Sequence, residues 1–315
     1  MKTVVPDYYK DFRCLAGECR HSCCIGWEID IDDETLAYYK TVEGPFAKRL
    51  AEGISREGDT AHFCMDSRGR CAFLNEEGLC EIMLNLGFDK VSQICDDHPR
   101  FRNFYSDRTE TGLGLSCEAV AQMLINRKEK TVLVTEEDDE EWLWPEEWDF
   151  LELRDEIFAR LQDRSAPVEK RAEKMLQLCG APAVKYSPHM LADFFMTLEK
   201  LEDERDTLLE MIKNTPENRL VIPKEGWLET AFEQLLVYFA FRHLTDSFDD
   251  GRLPQRGRFC VLSALMIYLM AAACLYREGS LTPDRLCDIA RIYSAEIEYS
   301  TENIEIILEW IEKQQ

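Results

Sequence analysis

The chain has 315 residues, enough for two ordinary domains or one large one. Its 61 Asp and Glu against 37 Lys and Arg leave a net charge of −24, a surface that repels phosphate backbones and argues against nucleic acid as a partner. Hydrophobic residues make up 45 %, which supports a substantial core and argues against disorder.

The opening, MKTVVPDYYKDF, has no apolar stretch of the kind a secretory leader needs. Residues 1–127 read as a cysteine-rich metal-binding module. Within it, 28–32 alternates polar and apolar residues, a short strand signal. Asp32 or Asp33 can then cap a helix through Leu36, Tyr38 and Tyr39. Residues 63–74 suggest a hairpin turning at Ser67-Arg68-Gly69, with Cys64 and Cys71 on its arms. A turn at Glu77-Gly78 precedes Cys80, and a helix over 118–127 closes the module.

Residues 128–150 form an acidic, Trp-rich junction. It holds a possible strand at 131–135, an acidic run at 136–141, and Trp142, Trp144 and Trp148 around Pro145, expected to clamp the linker against a domain. Residues 151–315 read as a helical domain. Ser187-Pro188 starts a helix through Leu191, Phe194, Phe195, Leu198 and Leu201. Leu228, Phe232, Leu235, Leu236 and Phe239 mark another, Thr282-Pro283 starts a third, and Ile304, Ile307, Leu308 and Ile311 mark the last. The apolar run 259–275 contains Ser263 and Tyr268 and is short for a membrane span, so it reads as a buried core helix with no membrane partner. The expected fold is mainly α: a cysteine-rich metal-binding N-terminal module with a small β-hairpin, followed by a helical C-terminal domain. A soluble, cytoplasmic protein is expected.

Thirteen cysteines in a chain without a leader need an explanation other than disulfides. Cys179, Cys260, Cys274 and Cys287 are scattered through apolar helical patterns and read as plain buried thiols. The others crowd into the first 117 residues, most densely in Cys14-x4-Cys19-x3-Cys23-Cys24. Soft donors at such spacing converge only by looping around something, and thiolates select zinc, copper(I) or iron–sulfur clusters. Cys71, Cys80, Cys95 and Cys117 follow at wider spacing, so a metal bound by this set would also tie separate segments together. The chain lacks the paired Cys-x2-Cys knuckles of tetrahedral zinc sites, whereas cubane clusters accept irregular spacing, which favours a cluster over zinc. Eight thiolates exceed one cluster's four. Either a second site exists or some of the eight only shield the first, and the adjacent pair Cys23-Cys24 is awkward as two ligands of one metal. His98 is a candidate ligand or outer donor, and His21 could hydrogen-bond a cluster sulfur. His62, His189 and His243 read as ordinary residues. The Cys-x3-Cys-x2-Cys signature of radical enzymes is absent, Gly112-x-Gly114 follows no convincing strand, and no Gly-x-Ser-x-Gly, His-Glu-x-x-His or phosphate loop is present.

Phe12-Arg13-Cys14, Cys19-Arg-His-Ser-Cys23-Cys24-Ile-Gly26-Trp27-Glu-Ile29-Asp30-Ile31-Asp32, Cys71-Ala-Phe73-Leu74 and Gly78-Leu79-Cys80 resemble the flagellin lysine-N-methylase family. So do the segments around Cys95 and Pro99-Arg100, Ser116-Cys117-Glu118-Ala119 and, more loosely, Glu233-Gln-Leu-Leu-Val-Tyr238-Phe-Ala-Phe-Arg242. The resemblance implies transfer of methyl groups from S-adenosylmethionine to surface lysines of flagellin. It carries metal ligation onto Cys14, Cys19, Cys23, Cys24, Cys71, Cys80, Cys95 and Cys117, for an iron–sulfur cluster of the [4Fe-4S] kind or, alternatively, zinc. It supplies no catalytic residue. Methylating a lysine needs a neutral amine aligned with the donor's sulfonium, hence a carboxylate or tyrosine to take the proton, and Tyr8, Tyr9, Asp30, Asp32 and Tyr105 lie near the cysteine segments. The expected function is an S-adenosylmethionine-dependent, iron–sulfur protein lysine N-methyltransferase. A metal-chelating or redox binding module without methyl transfer is the alternative.

Overall fold

The computed structural model describes residues 2–137, 143–183 and 185–314. Trp142 and most of the acidic run at 136–141 lie outside the described residues. Contacts divide the chain into two compact units, one of Arg13–Arg100 with Cys117–Ala119, the other of Met1–Phe12, Phe101–Ser116 and Val120–Gln315. The boundary drawn from the sequence at residue 127 and this division therefore differ, because strand pairing assigns the N-terminal residues to the helical unit.

The chain opens with β1 (Lys2–Pro6) and then enters the cysteine-rich unit, where β2 (Asp30–Ile31) leads into α1 (Asp33–Tyr39). Asp32 caps α1, its carboxylate accepting the Thr35 N–H at 2.8 Å. Proline in the first turn starts α2 (Pro45–Glu52), and at its end Gly53 lies against the Phe73 ring, where any Cβ would collide. β3 (Ile54–Glu57) and β4 (Thr60–Phe63) form an antiparallel hairpin, and β2 adds to β4 to give the order β2-β4-β3. Two short helices follow, α3 (Glu81–Leu86) and α4 (Gln93–Asp97).

β3 and β4 form one small hairpin of this unit, and the one the sequence suggested follows it: around the turn at 67–69, Met65 bridges Cys71 antiparallel, and the Asp66 and Ala72 N–H groups donate to the Arg70 and Cys64 carbonyls at 2.9 and 2.8 Å. The Asp66 carboxylate accepts the N–H groups of Arg68 and Arg70 at 2.8 and 3.0 Å, and these local bonds hold the turn. Ile29, Ile31, Leu36, Tyr39, Leu50, Phe63, Phe73 and Ile82 form the core beneath.

β5 (Arg100–Phe104) and β6 (Arg108–Leu113) precede α5 (Glu118–Ile125) and β7 (Leu133–Glu137). The second sheet runs β5-β6-β1-β7, with β1 parallel to β6 and antiparallel to β7. Gly112 is a β6 residue whose Cβ would strike the Phe101 ring, so it serves packing rather than a cofactor loop.

The remaining elements are helices: α6 (Pro145–Leu161), α7 (Val168–Leu178), α8 (Pro188–Phe195), α9 (Asp203–Lys213), α10 (Gly226–His243), α11 (Ser247–Asp250), α12 (Leu253–Glu278), α13 (Pro283–Ile297) and α14 (Thr301–Lys313). The architecture is mainly α. Trp144 and Trp148 do not clamp the junction; they are 59 % and 56 % exposed. Glu147 holds it instead, accepting the Ser106 N–H at 3.0 Å. α12 is long and apolar enough to cross a membrane by length and composition, yet it is largely buried among α7, α9, α10, α13 and α14, as a core helix is.

Candidate metal centre

The densest cysteine segment is a loop with almost no regular structure, and its backbone is organised from outside by one carboxylate. Glu118, at the start of α5, accepts the N–H groups of Arg20 and His21 at 2.9 and 3.2 Å. It also accepts the Arg20 guanidinium at 2.8 Å and pairs with His21 Nδ1 at 3.1 Å. Burial alone would raise this carboxyl, but the bonds from Arg20 and His21 outweigh it and hold it down at about 2. The Cys19 thiol lies 3.7 Å from the same carboxylate, one residue from Cys117. A single anion thereby ties the 19–21 loop to the helix start that carries Cys117. Sequence reasoning singled out the thiols and overlooked Glu118; its only signal was an acid directly after a cysteine at a helix N-terminus.

Around this anchor, Cys23 is within electrostatic range of Cys14 and Cys117, and Cys19 of Cys117. Cys14 accepts a bond from the Ala16 N–H at 3.3 Å. Burial pushes the Cys19 thiol up to about 11. Cys14 and Cys23 are exposed, while Cys19 and Cys117 are partly covered.

The other ligand candidates meet elsewhere in the same unit. Cys71 is part of the apolar core, and Cys24, Cys80 and Cys95 pack against that core. The Cys71 N–H donates to the Cys24 carbonyl at 2.8 Å, and Cys80 bridges back to Leu74. Cys95 is within electrostatic range of Cys24, Cys71 and Cys80, and the buried Tyr39 of Cys71, Cys80 and Cys95. Burial pushes Cys71 up to about 12 and raises Cys80 and Cys95 as well. Cys24 moves the other way, to about 7, because its neighbour Cys23 hydrogen-bonds to it, and that same bond raises Cys23.

Among the described residues, no three His, Cys, Asp or Glu side chains are gathered tightly enough for a single ion. Tetrahedral zinc would require sulfurs roughly 3.8 Å apart, as its 2.3 Å bonds dictate. A cubane takes its four thiolates at separate corners rather than at one atom, so it asks for a wider set than a single ion does. The donor chemistry is also right, since all eight candidates are soft thiols. His98 is partly buried and pushed down to about 4 by desolvation and by Arg100. His21 spends its ring nitrogen on Glu118 rather than on a sulfur. Cys64, by contrast, is engaged through its backbone with Gly53 and Ala72.

Three of the five proton-acceptor candidates already have structural duties. Tyr8 is buried beneath the Arg127 guanidinium, which lies 5.2 Å from its ring centre. The Tyr105 hydroxyl is buried against Thr245 at 2.7 Å. Asp32 caps α1 and also accepts the Gln93 N–H at 2.9 Å. Asp30 is exposed and Tyr9 partly so.

In the helical unit, an apolar cavity of about 460 Å³ lies between α7, α10, α12 and the segment at 221–225. Leu176, Ile222, Phe232 and Leu236 wall it, and Glu169, Glu173, Glu225 and Glu229 lie at its polar margin. Lys185 and Lys224 line it as well, and Lys224 lies 3.8 Å from Glu169, so the rim is of mixed charge and the cavity suits an amphipathic small molecule.

Residues 228–315 match the FliB lysine N-methylase C-terminal domain, a stretch that begins inside α10. Two relatives named Lysine-N-methylase, from Salmonella choleraesuis and Salmonella typhimurium, are each 27 % identical over 127 residues, 38 % of this chain and 32 % of theirs. A third, the Flagellar biosynthetic protein FliU of Salmonella muenchen, is 26 % identical over 38 % of this chain and 75 % of its own length. The matches to the first two thus span about a third of those relatives. No solved structure matches. The likeness to the flagellin lysine-N-methylase family read from the cysteine motifs is the one these comparisons support.

Proposed function

We propose that this chain is a protein lysine N-methyltransferase that uses S-adenosylmethionine, carries iron–sulfur on its clustered thiols and modifies flagellin. The observation that carries the reading is the coincidence of two independent features in one chain. A C-terminal segment matches the FliB lysine N-methylase domain, and a separate unit holds nine cysteines, eight of them the candidate ligands, from segments up to about a hundred residues apart.

The chemistry is a single displacement. The lysine nitrogen forms a bond to the methyl carbon as the sulfonium–methyl bond breaks, leaving the thioether product and one proton to be removed. The net charge of −24 favours encounter with a lysine-bearing partner. It also favours the protonated amine, so a local acceptor has to take the proton, and the exposed Asp30 is a candidate for it. The apolar cavity in the helical unit, with its rim of mixed charge, is the candidate place for the donor, whose adenosine is largely flat and apolar. An iron–sulfur cluster would add a site able to bind and orient a ligand or to carry an electron. Cys14, Cys19, Cys23, Cys24, Cys71, Cys80, Cys95 and Cys117 would hold it.

Intact-mass measurement of flagellin incubated with the anaerobically prepared protein tests this reading. Donor-dependent gains of one methylene unit per event support it. No gain with a loaded protein and intact donor would leave the alternative, a metal-chelating or redox module without methyl transfer.

A further inference from the structure

Tryptophan is an unfavourable residue to leave in water, because each ring carries a large apolar area that a core or a partner normally covers. α6 nevertheless presents two: Trp144, just before its first residue, and Trp148, one turn on, each with more than half its surface in solvent. Neither is loose at the backbone. The Trp144 N–H donates to Ser106 Oγ and to the Glu147 carboxylate, both at 3.3 Å, and the Trp148 N–H donates to the Trp144 carbonyl at 3.0 Å. The Trp148 indole N–H donates to Glu152 at 2.8 Å, which fixes the ring and sets a carboxylate at its edge.

Spacing of four residues puts Trp144, Trp148 and Glu152 along one side of the helix, and Glu146 and Asp149 are exposed beside them. The two basic residues of α6 leave this stretch acidic. Arg154 is buried against Glu110, and Arg160, at the far end, pairs with Glu156 at 3.2 Å. Aromatic faces beside carboxylates are the chemistry that holds an ammonium group: the ring quadrupole attracts the cation and the carboxylate accepts its N–H bonds.

We propose that the exposed face of α6 around Trp144, Trp148 and Glu152 is the docking surface for a lysine-bearing segment of the protein substrate. Charge complementarity selects this occupant, since a second copy of this chain, at −24, would bring acid against acid. Flagellin as the partner rests on the function proposed above; the chemistry of the surface does not. The lysines held here are held by their charge, which acetylation removes.

The test uses the full chain and monomeric flagellin, with affinity measured by calorimetry separately from methyl transfer. The double variant Trp144→Ala/Trp148→Ala should bind flagellin about tenfold more weakly. Trp148→Phe, which keeps an aromatic face, should stay within about twofold of the unaltered chain. Flagellin with acetylated lysines should bind the unaltered chain and the double variant alike. Both tryptophans are exposed, so the variants should fold, as circular dichroism would check. If the double variant loses helix, Glu152→Gln decides: it keeps an oxygen for the indole bond but loses the charge, and it should bind about threefold more weakly. Undiminished affinity for untreated flagellin in the folded variants would overturn the docking surface and leave the methyltransferase reading standing. The tenfold loss, with no methyl transfer by the unaltered chain, would support the surface and contradict that reading. No binding of flagellin by the unaltered chain would overturn the surface and the choice of substrate together.

Discussion

Glu118 concentrates more structural work than any other single side chain near the thiols. It accepts two backbone N–H groups and two side chains of the Arg20-His21 segment while its own residue adjoins Cys117. Arg20 is exposed and His21 only partly covered, so water takes over some of these donors and replacing Glu118 by Ala should cost about 1 kcal/mol. Glu118→Ala should therefore lower the melting temperature of the metal-free chain and speed iron loss to a chelator. Glu118→Gln, which keeps one oxygen acceptor, should recover part of both. Equal chelation rates in all three proteins would show that the loop needs no such anchor.

A second residue-scale consequence concerns pH. In the helical unit Glu298 is buried against His243 at 2.7 Å and Arg242 at 3.2 Å. Burial depresses the His243 pKa despite Glu298, and Glu298 itself is held below the usual carboxylate range because Arg242 and His243 outweigh its desolvation. Both folded-state values lie below the unfolded ones. Their contribution is thus fully present above about pH 6.5, begins to fade as His243 is forced to take a proton, and fades further below about pH 4.5 as Glu298 does. Urea midpoints should fall steadily from pH 7.5 to pH 4. Glu298→Gln should cost about 3–5 kcal/mol at pH 7, because it strands the buried Arg242 charge. A midpoint indifferent to pH over that range would contradict the assignment.

Elements divide into those a sequence announces and those it conceals. The helices begin where the caps said: Asp32 before α1, Ser187 before α8 and Thr282 before α13 each accept a backbone N–H three residues on. Local chemistry wrote those boundaries. The parallel pairing of β1 with β6 was not legible, because residues 2–4 and 108–110 meet through a long-range pairing that leaves no periodic trace in either segment. The same holds for the thiols. Their crowding was visible, but which of them would pack against the core of Tyr39, Phe63 and Phe73 was not. Gly112 is instructive, since a glycine that resembled a cofactor loop turns out to make room for Phe101. Gly112→Ala should cost about 1–3 kcal/mol through overpacking, seen as a lower thermal midpoint with helix content retained. The cavity behind α7 offers a functional counterpart. Ala172 lines it and is only partly buried, so Ala172→Trp should fill it without disturbing the core. Calorimetry should then show S-adenosylmethionine bound at least about tenfold more weakly, about 1.4 kcal/mol. Unchanged affinity with unchanged stability would place the donor elsewhere.

At the scale of the whole molecule, charge and sulfur set the behaviour. With 61 acidic against 37 basic residues, capture of a lysine-bearing partner should be fast at low ionic strength and slow as salt screens the field. Binding of flagellin should show an association rate falling steeply between 50 and 300 mM salt, with a dissociation rate nearly constant. A salt-independent association rate would assign the acidic surface to solubility alone.

Cysteine alkylation, read residue by residue by mass spectrometry in the metal-free and the reconstituted chain, tests most directly whether distant thiols share an inorganic group. Cys14 and Cys23 are exposed and should label readily in the metal-free protein. Reconstitution should protect both, together with Cys19, Cys24, Cys71, Cys80, Cys95 and Cys117, and leave Cys64 unchanged. Equal labelling of Cys14 and Cys23 with and without iron and sulfide would contradict the account at its base.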